Sequence, residues 1–232
     1  YKVYEAADGT LLFPTQSSGI VTYKNETFEQ LLPESILPKT IRCLLPYGKD
    51  RIIAGSYTQG LFLIEKDIVK RLSTPLLDNY SIEDIVLGDD GTIWIGTDGN
   101  GVIKYDGKEF SKLNGGTGLL SAKVNCIHFS PSGSLLIGTV AGLNVYDEET
   151  IFSIERYNGT QINDLLNDDI GRTWIATEKG LGRYSWKKGV AEFTDESNYF
   201  PYGRMQRLTK DHEGNIWIAT GRDGLLQIKK TA

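Results

Sequence analysis

One unit of about 41 residues recurs six times along this chain, and a period of that length constrains the fold more than any other feature. The unit is clearest in Asp90-Gly91-Thr92-Ile93-Trp94-Ile95-Gly96-Thr97 and in Glu213-Gly214-Asn215-Ile216-Trp217-Ile218-Ala219-Thr220. A turn of Asp/Gly type leads into an apolar run, which closes on a hydroxyl residue. The closing residues are Thr15, Ser56, Thr97, Thr139, Thr177 and Thr220, so the steps between copies are 41, 41, 42, 38 and 43 residues. This spacing suits a blade of four short strands.

The strands of one unit can be read in order. Ser81–Leu87 is a short apolar segment. The Gly91 turn follows, where glycine supplies the positive φ of a tight hairpin. The run Ile93–Gly96 does not alternate and is expected to be buried on both faces. A glycine-rich loop leads to a third strand, Gly101–Tyr105, and Glu109–Leu113 reads as a weaker fourth. No segment carries a helical period. The expected fold is all-β: a β-propeller of four-stranded antiparallel blades, about six in this chain. Their bounds are roughly 1–39, 40–79, 80–121, 122–160, 161–202 and 203–232, within one domain. The last blade is short by about ten residues, one strand's length. Either the ring closes imperfectly or further blades lie outside the chain. The opening Tyr1-Lys2-Val3-Tyr4 reads as a strand and not as a secretory leader, which predicts a piece of a longer protein.

Two columns of the repeat predict the packing. Leu12, Ile53, Trp94, Leu136, Trp174 and Trp217 are large, and two residues later stand Pro14, Gly55, Gly96, Gly138, Ala176 and Ala219, all small. Large beside small lets the next blade approach without a void. The tryptophans could also form a sugar-stacking platform, but core packing between blades is the expected role.

Composition removes several classes. With 25 Lys and Arg against 30 Asp and Glu, the net charge is −5, which opposes a nucleic-acid partner. No apolar run approaches a membrane span. Two cysteines are too few for a disulfide scaffold. Cys43 and Cys126 each lie 13 residues before a closing hydroxyl, in one column two blades apart. That separation predicts two free, buried thiols. His128 and His212 belong to different blades, and no nucleophile elbow, zinc-binding helix or Cys-x-x-Cys pair is present. The aspartate-rich turns lack calcium-loop spacing. No catalytic residue, metal or cofactor is expected.

Asp90-Gly91-Thr92-Ile93-Trp94-Ile95-Gly96-Thr97 leading to Gly101-Val102-Ile103-Lys104-Tyr105 resembles the two-component regulator propeller repeat, as does Gly118–Ile127 leading to Ile137-Gly138-Thr139. The third, fifth and sixth copies match best. The first two depart, with Phe13-Pro14-Thr15 in place of the glycine pattern and Ile53 in place of Trp. The resemblance implies the periplasmic sensor region of a bacterial hybrid two-component system, non-enzymatic, with an oligosaccharide as ligand. A neighbouring propeller or β-sandwich domain of the same receptor and a second copy of the receptor are the protein partners it implies. The rivals are a propeller scaffold of an envelope or secretion assembly and, last, a propeller lyase. A lyase would need a convergent histidine and acid, which the sequence does not supply.

Propellers bind at one mouth, on loops that precede the innermost strand and loops that join the second and third. The segment Ser197–Arg204 concentrates Tyr199, Phe200, Tyr202 and Arg204, and aromatics beside planar donors suit a sugar face. Tyr57 and Tyr80 lie in loops of the same mouth. A polar column on the innermost strands, Arg42, Glu83, Asn125, Asn163 and Gln206, is flanked by apolar residues. From it Arg42, Asn125 and Asn163 are candidates to orient sugar hydroxyls. The alternative is a solvated channel.

Overall fold

The computed structural model describes all residues except 1, 7, 33–36, 49, 67, 73, 114–117, 148, 188–189, 197–202 and 231–232. The chain divides into two compact units, 1–116 and 117–232. Each unit holds three blades. Five sheets have four antiparallel strands in sequence order, and the sixth has three. There is a 3-10 turn at Glu155–Tyr157, and no α-helix stands among the described residues. No described helix is long and apolar enough to cross a membrane.

The third blade is representative. Its strands are Ile82–Leu87, Ile93–Thr97, Gly101–Tyr105 and Phe110–Lys112. Every residue of Ile93–Thr97 is buried, as its continuous apolar run requires of a strand covered on both faces. Leu135–Thr139 of the fourth blade is buried throughout as well.

The closing hydroxyl has one task in all six blades. Its Oγ donates to the carbonyl of a glycine three or four residues on: Thr15 to Gly19 at 3.1 Å, Ser56 to Gly60 at 2.9 Å and Thr97 to Gly101 at 2.8 Å in the first unit. In the second unit Thr139 reaches Gly142 at 2.9 Å, Thr177 Gly180 at 2.8 Å and Thr220 Gly224 at 3.0 Å. The same oxygen accepts a backbone N–H from inside the loop, such as Asn100 at 3.0 Å. The glycine takes a positive φ, from +65° at Gly19 to +150° at Gly180, which a side chain would oppose. A short polar side chain thus shapes the turn into each third strand.

The large-and-small columns pack as expected in the first five blades, and in the sixth Trp217 and Ala219 are half-buried. Trp94 and Trp174 are buried. A Cβ on Gly55 would lie 2.6 Å from Ile82 Cγ2, and one on Gly138 would lie 2.7 Å from Ile162 Cγ2. In both places the next blade's isoleucine occupies the space that a side chain would take. The turn aspartates add a polar anchor: Asp168 Oδ2 accepts the Trp174 indole N–H at 3.0 Å, and Asp211 Oδ2 accepts that of Trp217 at 2.8 Å. The Trp217 bond, then Asn215, holds the Asp211 carboxyl below the usual range.

Candidate ligand-binding face

In five blades the loop entering the first strand is tied to the loop joining the second and third. Tyr57 N–H donates to the Thr40 carbonyl at 3.2 Å, and Asp98 to Ser81 at 2.9 Å. In the second unit Val140 donates to Lys123 at 3.1 Å, Glu178 to Gln161 at 3.0 Å and Gly221 to Arg204 at 2.8 Å. Within each unit these paired loops form a shelf, with Tyr57 and Tyr80 on that of the first unit and Arg204 on that of the second. Tyr199, Phe200 and Tyr202 lie outside the described residues.

The shelf is not uniform. On the second blade, Pro38–Thr40 and Ser56–Gln59 line a groove of about 240 Å³. Tyr57 stands on it 53% exposed. Thr40, Thr58 and Gln59 line the same groove, and the Thr40 hydroxyl donates to the Gln16 carbonyl at 2.8 Å. The equivalent groove on the fifth blade is smaller, about 100 Å³. There Lys179 Nζ donates to Thr160 Oγ1 at 2.9 Å. On the third blade the Tyr80 ring lies against Gly99, whose Cβ position is 3.4 Å from the ring. Tyr80 is half-buried by that contact and Arg204 is exposed.

The polar column has a cause that spacing alone does not reveal. In blades two to six the pairing of first and second strands slips by one residue at this point. Ile41 pairs with Ser56 and Cys43 with Gly55, so Arg42 is the extra residue of a β-bulge. Glu83, Asn125, Asn163 and Gln206 are extra in the same way. A bulge re-aims its side chain along the sheet, and here Arg42, Asn125 and Asn163 reach the next blade. Arg42 forms an ion pair with Glu83. Asn125 Nδ2 donates to the Ile162 carbonyl at 2.8 Å, and Asn163 Nδ2 to that of Met205 at 2.7 Å. The structure therefore engages Arg42, Asn125 and Asn163 in joining blades and brings none of them to the Tyr57 groove.

In blades two to five the column just beyond the bulge is buried. Cys43 Sγ lies 3.5 Å from the Ile82 carbonyl, and burial pushes its thiol well above the ordinary range. Both cysteines are free and buried. Asp164 is fully buried, its Oδ1 accepting Leu165 N–H at 3.0 Å and its Oδ2 accepting Leu208 N–H of the next blade at 2.9 Å. Arg207 Nη1 donates to the Asn163 carbonyl at 3.1 Å and lies 4.0 Å from Asp164. Sequence reading missed this acid. Its signal was present: an aspartate in a column that reads Cys43, Asp84, Cys126 and Arg207 in blades two, three, four and six. His128 sits on Val124–Phe129, and His212 is exposed in a turn. Among the described residues no group of three or more His, Cys, Asp and Glu converges on a metal position.

Strand order and blade geometry define a β-propeller chain of four-stranded antiparallel blades. Residues 75–99 match the family described as two component regulator propeller, so the chain carries that repeat. No curated protein sequence matches it. Among solved structures it is similar to the extracellular domain of the hybrid two-component system BT3049 from B. thetaiotaomicron, with TM-score 0.81 and 25% identity over 98% of this chain and 33% of that one. The extracellular domain of BT4673 from the same organism gives 0.78 and 18%, over 100% of this chain and 32% of that one. PorZ, a surface component of the type-IX secretion system of Porphyromonas gingivalis, gives 0.75 and 15%, over 98% and 38%. The chain thus spans about a third of the two-component relatives it resembles.

Proposed function

We propose that this chain is part of the extracytoplasmic sensing region of a hybrid two-component signalling protein. It acts by binding, not by catalysis, and its ligand is an oligosaccharide. Support for the sensing role comes from the regulator propeller repeat at residues 75–99, together with likeness to extracellular domains of two such systems. The Tyr57 groove carries the ligand reading. It offers an exposed aromatic face beside hydroxyl- and amide-bearing residues, Thr40, Thr58 and Gln59, a combination that suits a sugar ring.

Calorimetric titration with a panel of polysaccharide fragments tests this reading. Tyr57→Ala and Gln59→Ala should each weaken fragment binding about tenfold or more, a loss near 1.4 kcal/mol, and leave the melting temperature unchanged. Tyr202→Ala and Arg204→Ala examine the loop before the sixth blade in the same way. Equal affinity in parent and variants removes these sites. Failure to bind any fragment moves the assignment to a scaffold in an envelope assembly.

A further inference from the structure

The groove on the fifth blade differs from the Tyr57 groove in chemistry as well as in size. Its floor is buried at Thr160, Thr177, Gly180 and Leu181. Two exposed cations, Arg156 and Lys179, stand at its rim, and among the described residues no carboxylate lines it.

Local structure puts each cation in place. Lys179 precedes the glycine of the closing-hydroxyl turn, a position that reads Ser18, Gln59, Asn100, Ala141 and Asp223 in the other blades. Only the fifth blade places a cation there. Thr177 Oγ1 accepts the Lys179 N–H at 3.1 Å and the Gly180 N–H at 3.0 Å, which fixes the turn. Arg156 lies in the 3-10 turn Glu155–Tyr157. That turn is closed by Asn158 N–H donating to the Glu155 carbonyl at 3.0 Å and by Gly159 N–H donating to that of Ala141 at 2.9 Å. The bond from Glu178 N–H to the Gln161 carbonyl holds the two loops together.

The partners of the two cations carry the argument. Lys179 Nζ donates to Thr160 Oγ1 at 2.9 Å, and Arg156 Nη1 donates to the Phe193 carbonyl at 2.5 Å. Both acceptors are neutral, and among the described residues neither cation forms an ion pair. An ammonium has three donors and a guanidinium five, so each keeps donors to offer. Neighbouring acids are engaged elsewhere: Glu178 Oε1 accepts the Gln161 N–H at 3.1 Å, and Glu196 pairs with Arg183 at 3.1 Å. Where this unit uses cations structurally it supplies carboxylates, as Asp169 does for Lys210 and Lys230 and Asp168 for Arg172.

We infer that the fifth-blade groove is a subsite for an oxyanion, the carboxylate of a sugar acid or the sulfate ester of a sulfated sugar. Charge-assisted hydrogen bonds from Lys179 and Arg156 hold its oxygens, and the planar guanidinium can meet two of them at once. The groove, about 100 Å³, is well below the roughly 300 Å³ of a pocket that encloses a whole small molecule. It therefore takes the charged group and leaves the sugar ring outside. That a sugar bears the group rests on the reading proposed above, whereas the preference for an anion rests on this groove alone.

The test follows backbone amide shifts by NMR while sodium glucuronate, sodium sulfate and glucose are titrated separately at constant ionic strength. At least one of the two anions should shift Thr160, Lys179 and Gly180, and glucose should not. A response to glucuronate alone assigns a carboxylate, and a response to sulfate alone assigns a sulfate ester. Lys179→Gln and Arg156→Gln should each weaken the anion about tenfold, and Lys179→Arg should retain most of the affinity. Melting temperatures should hold in all three variants, since both side chains are exposed. The proposal is overturned if neither anion shifts these amides, if glucose shifts them equally, or if Arg156→Gln with Lys179→Gln leaves the anion affinity unchanged. These probes do not depend on the Tyr57 groove. Their failure leaves the oligosaccharide reading standing, and failure of neutral fragments to bind leaves the anion groove standing.

Discussion

Between the second and third blades, the bulge residue is Arg42 and its partner is the next bulge residue, Glu83. Between the fourth, fifth and sixth blades, the bulge residues are Asn125 and Asn163, and their partners are main-chain carbonyls. The backbone device is the same, and so is the apolar notch beneath it, since Ile82 and Ile162 press on Gly55 and Gly138 alike. Only the polar chemistry differs. An amide donating to a carbonyl is short, neutral and indifferent to salt. An ion pair with side chains 29% and 13% exposed is screened by solvent and ions. The comparison teaches that the repeat needs the bulge and the notch, whereas the side chain on the bulge is free to vary as long as it can reach the next blade.

The apolar contribution should be the larger one and equal in the two units. Trp94→Ala and Trp174→Ala should each cost about 3–5 kcal/mol in denaturant melts, because each removes a buried aromatic. A loss under about 1 kcal/mol at either would separate the two units and break the equivalence of the columns.

Filling the notch is the next effect. Gly55→Val places a Cβ 2.7 Å from Cys43 Sγ, and Gly138→Val places one 2.5 Å from Cys126 Sγ. Both should lose about 3 kcal/mol through overpacking. Tolerance of one and not the other would show that the two junctions are not built alike.

The polar links should then divide. Asn163→Ala leaves the Met205 carbonyl without its donor in a buried place, for a loss of about 2 kcal/mol. Arg42→Gln should cost about 1 kcal/mol or less. Salt sharpens the contrast: at 1 M NaCl, about a 3 Å screening length, the Arg42 effect should shrink while the Asn163 effect stays. An unchanged Arg42 effect in salt would mean that the pair is more enclosed than its exposure indicates.

The smallest effect lies at the exposed turn end of the fifth and sixth blades. There hydrogen bonds from Lys210 and Lys230 bring the Asp169 carboxyl down to about 2. An unfolded aspartate titrates near 3.9. A carboxylate depressed by folding adds stability above its unfolded pKa, and that stability is lost as pH falls through the folded value. Melting temperature followed from about pH 4 to about pH 2 should therefore fall less steeply in Asp169→Asn than in the parent. Identical acid limbs would remove Asp169 from the set of links that join these blades.

Period, turn chemistry and the unbroken apolar runs determined the blades from sequence. A 41-residue repeat that ends in a hydroxyl and a glycine leaves little choice of fold, since each strand must bury its apolar residues against a neighbouring copy. The large and small columns followed for the same reason, and so did the free cysteines, because equivalent positions two blades apart do not meet. What the polar column does was decided only by tertiary structure. Alternation along a strand predicts one face or the other, and a bulge breaks that rule, so Arg42, Asn125 and Asn163 turn toward the next blade. The Tyr57 groove was equally invisible in one dimension. It exists because two loops, about seventeen residues apart in sequence, are tied by a backbone hydrogen bond from Tyr57 to Thr40. Sequence records which residues repeat. Whether a repeated residue meets a neighbour or water depends on what the fold brings beside it.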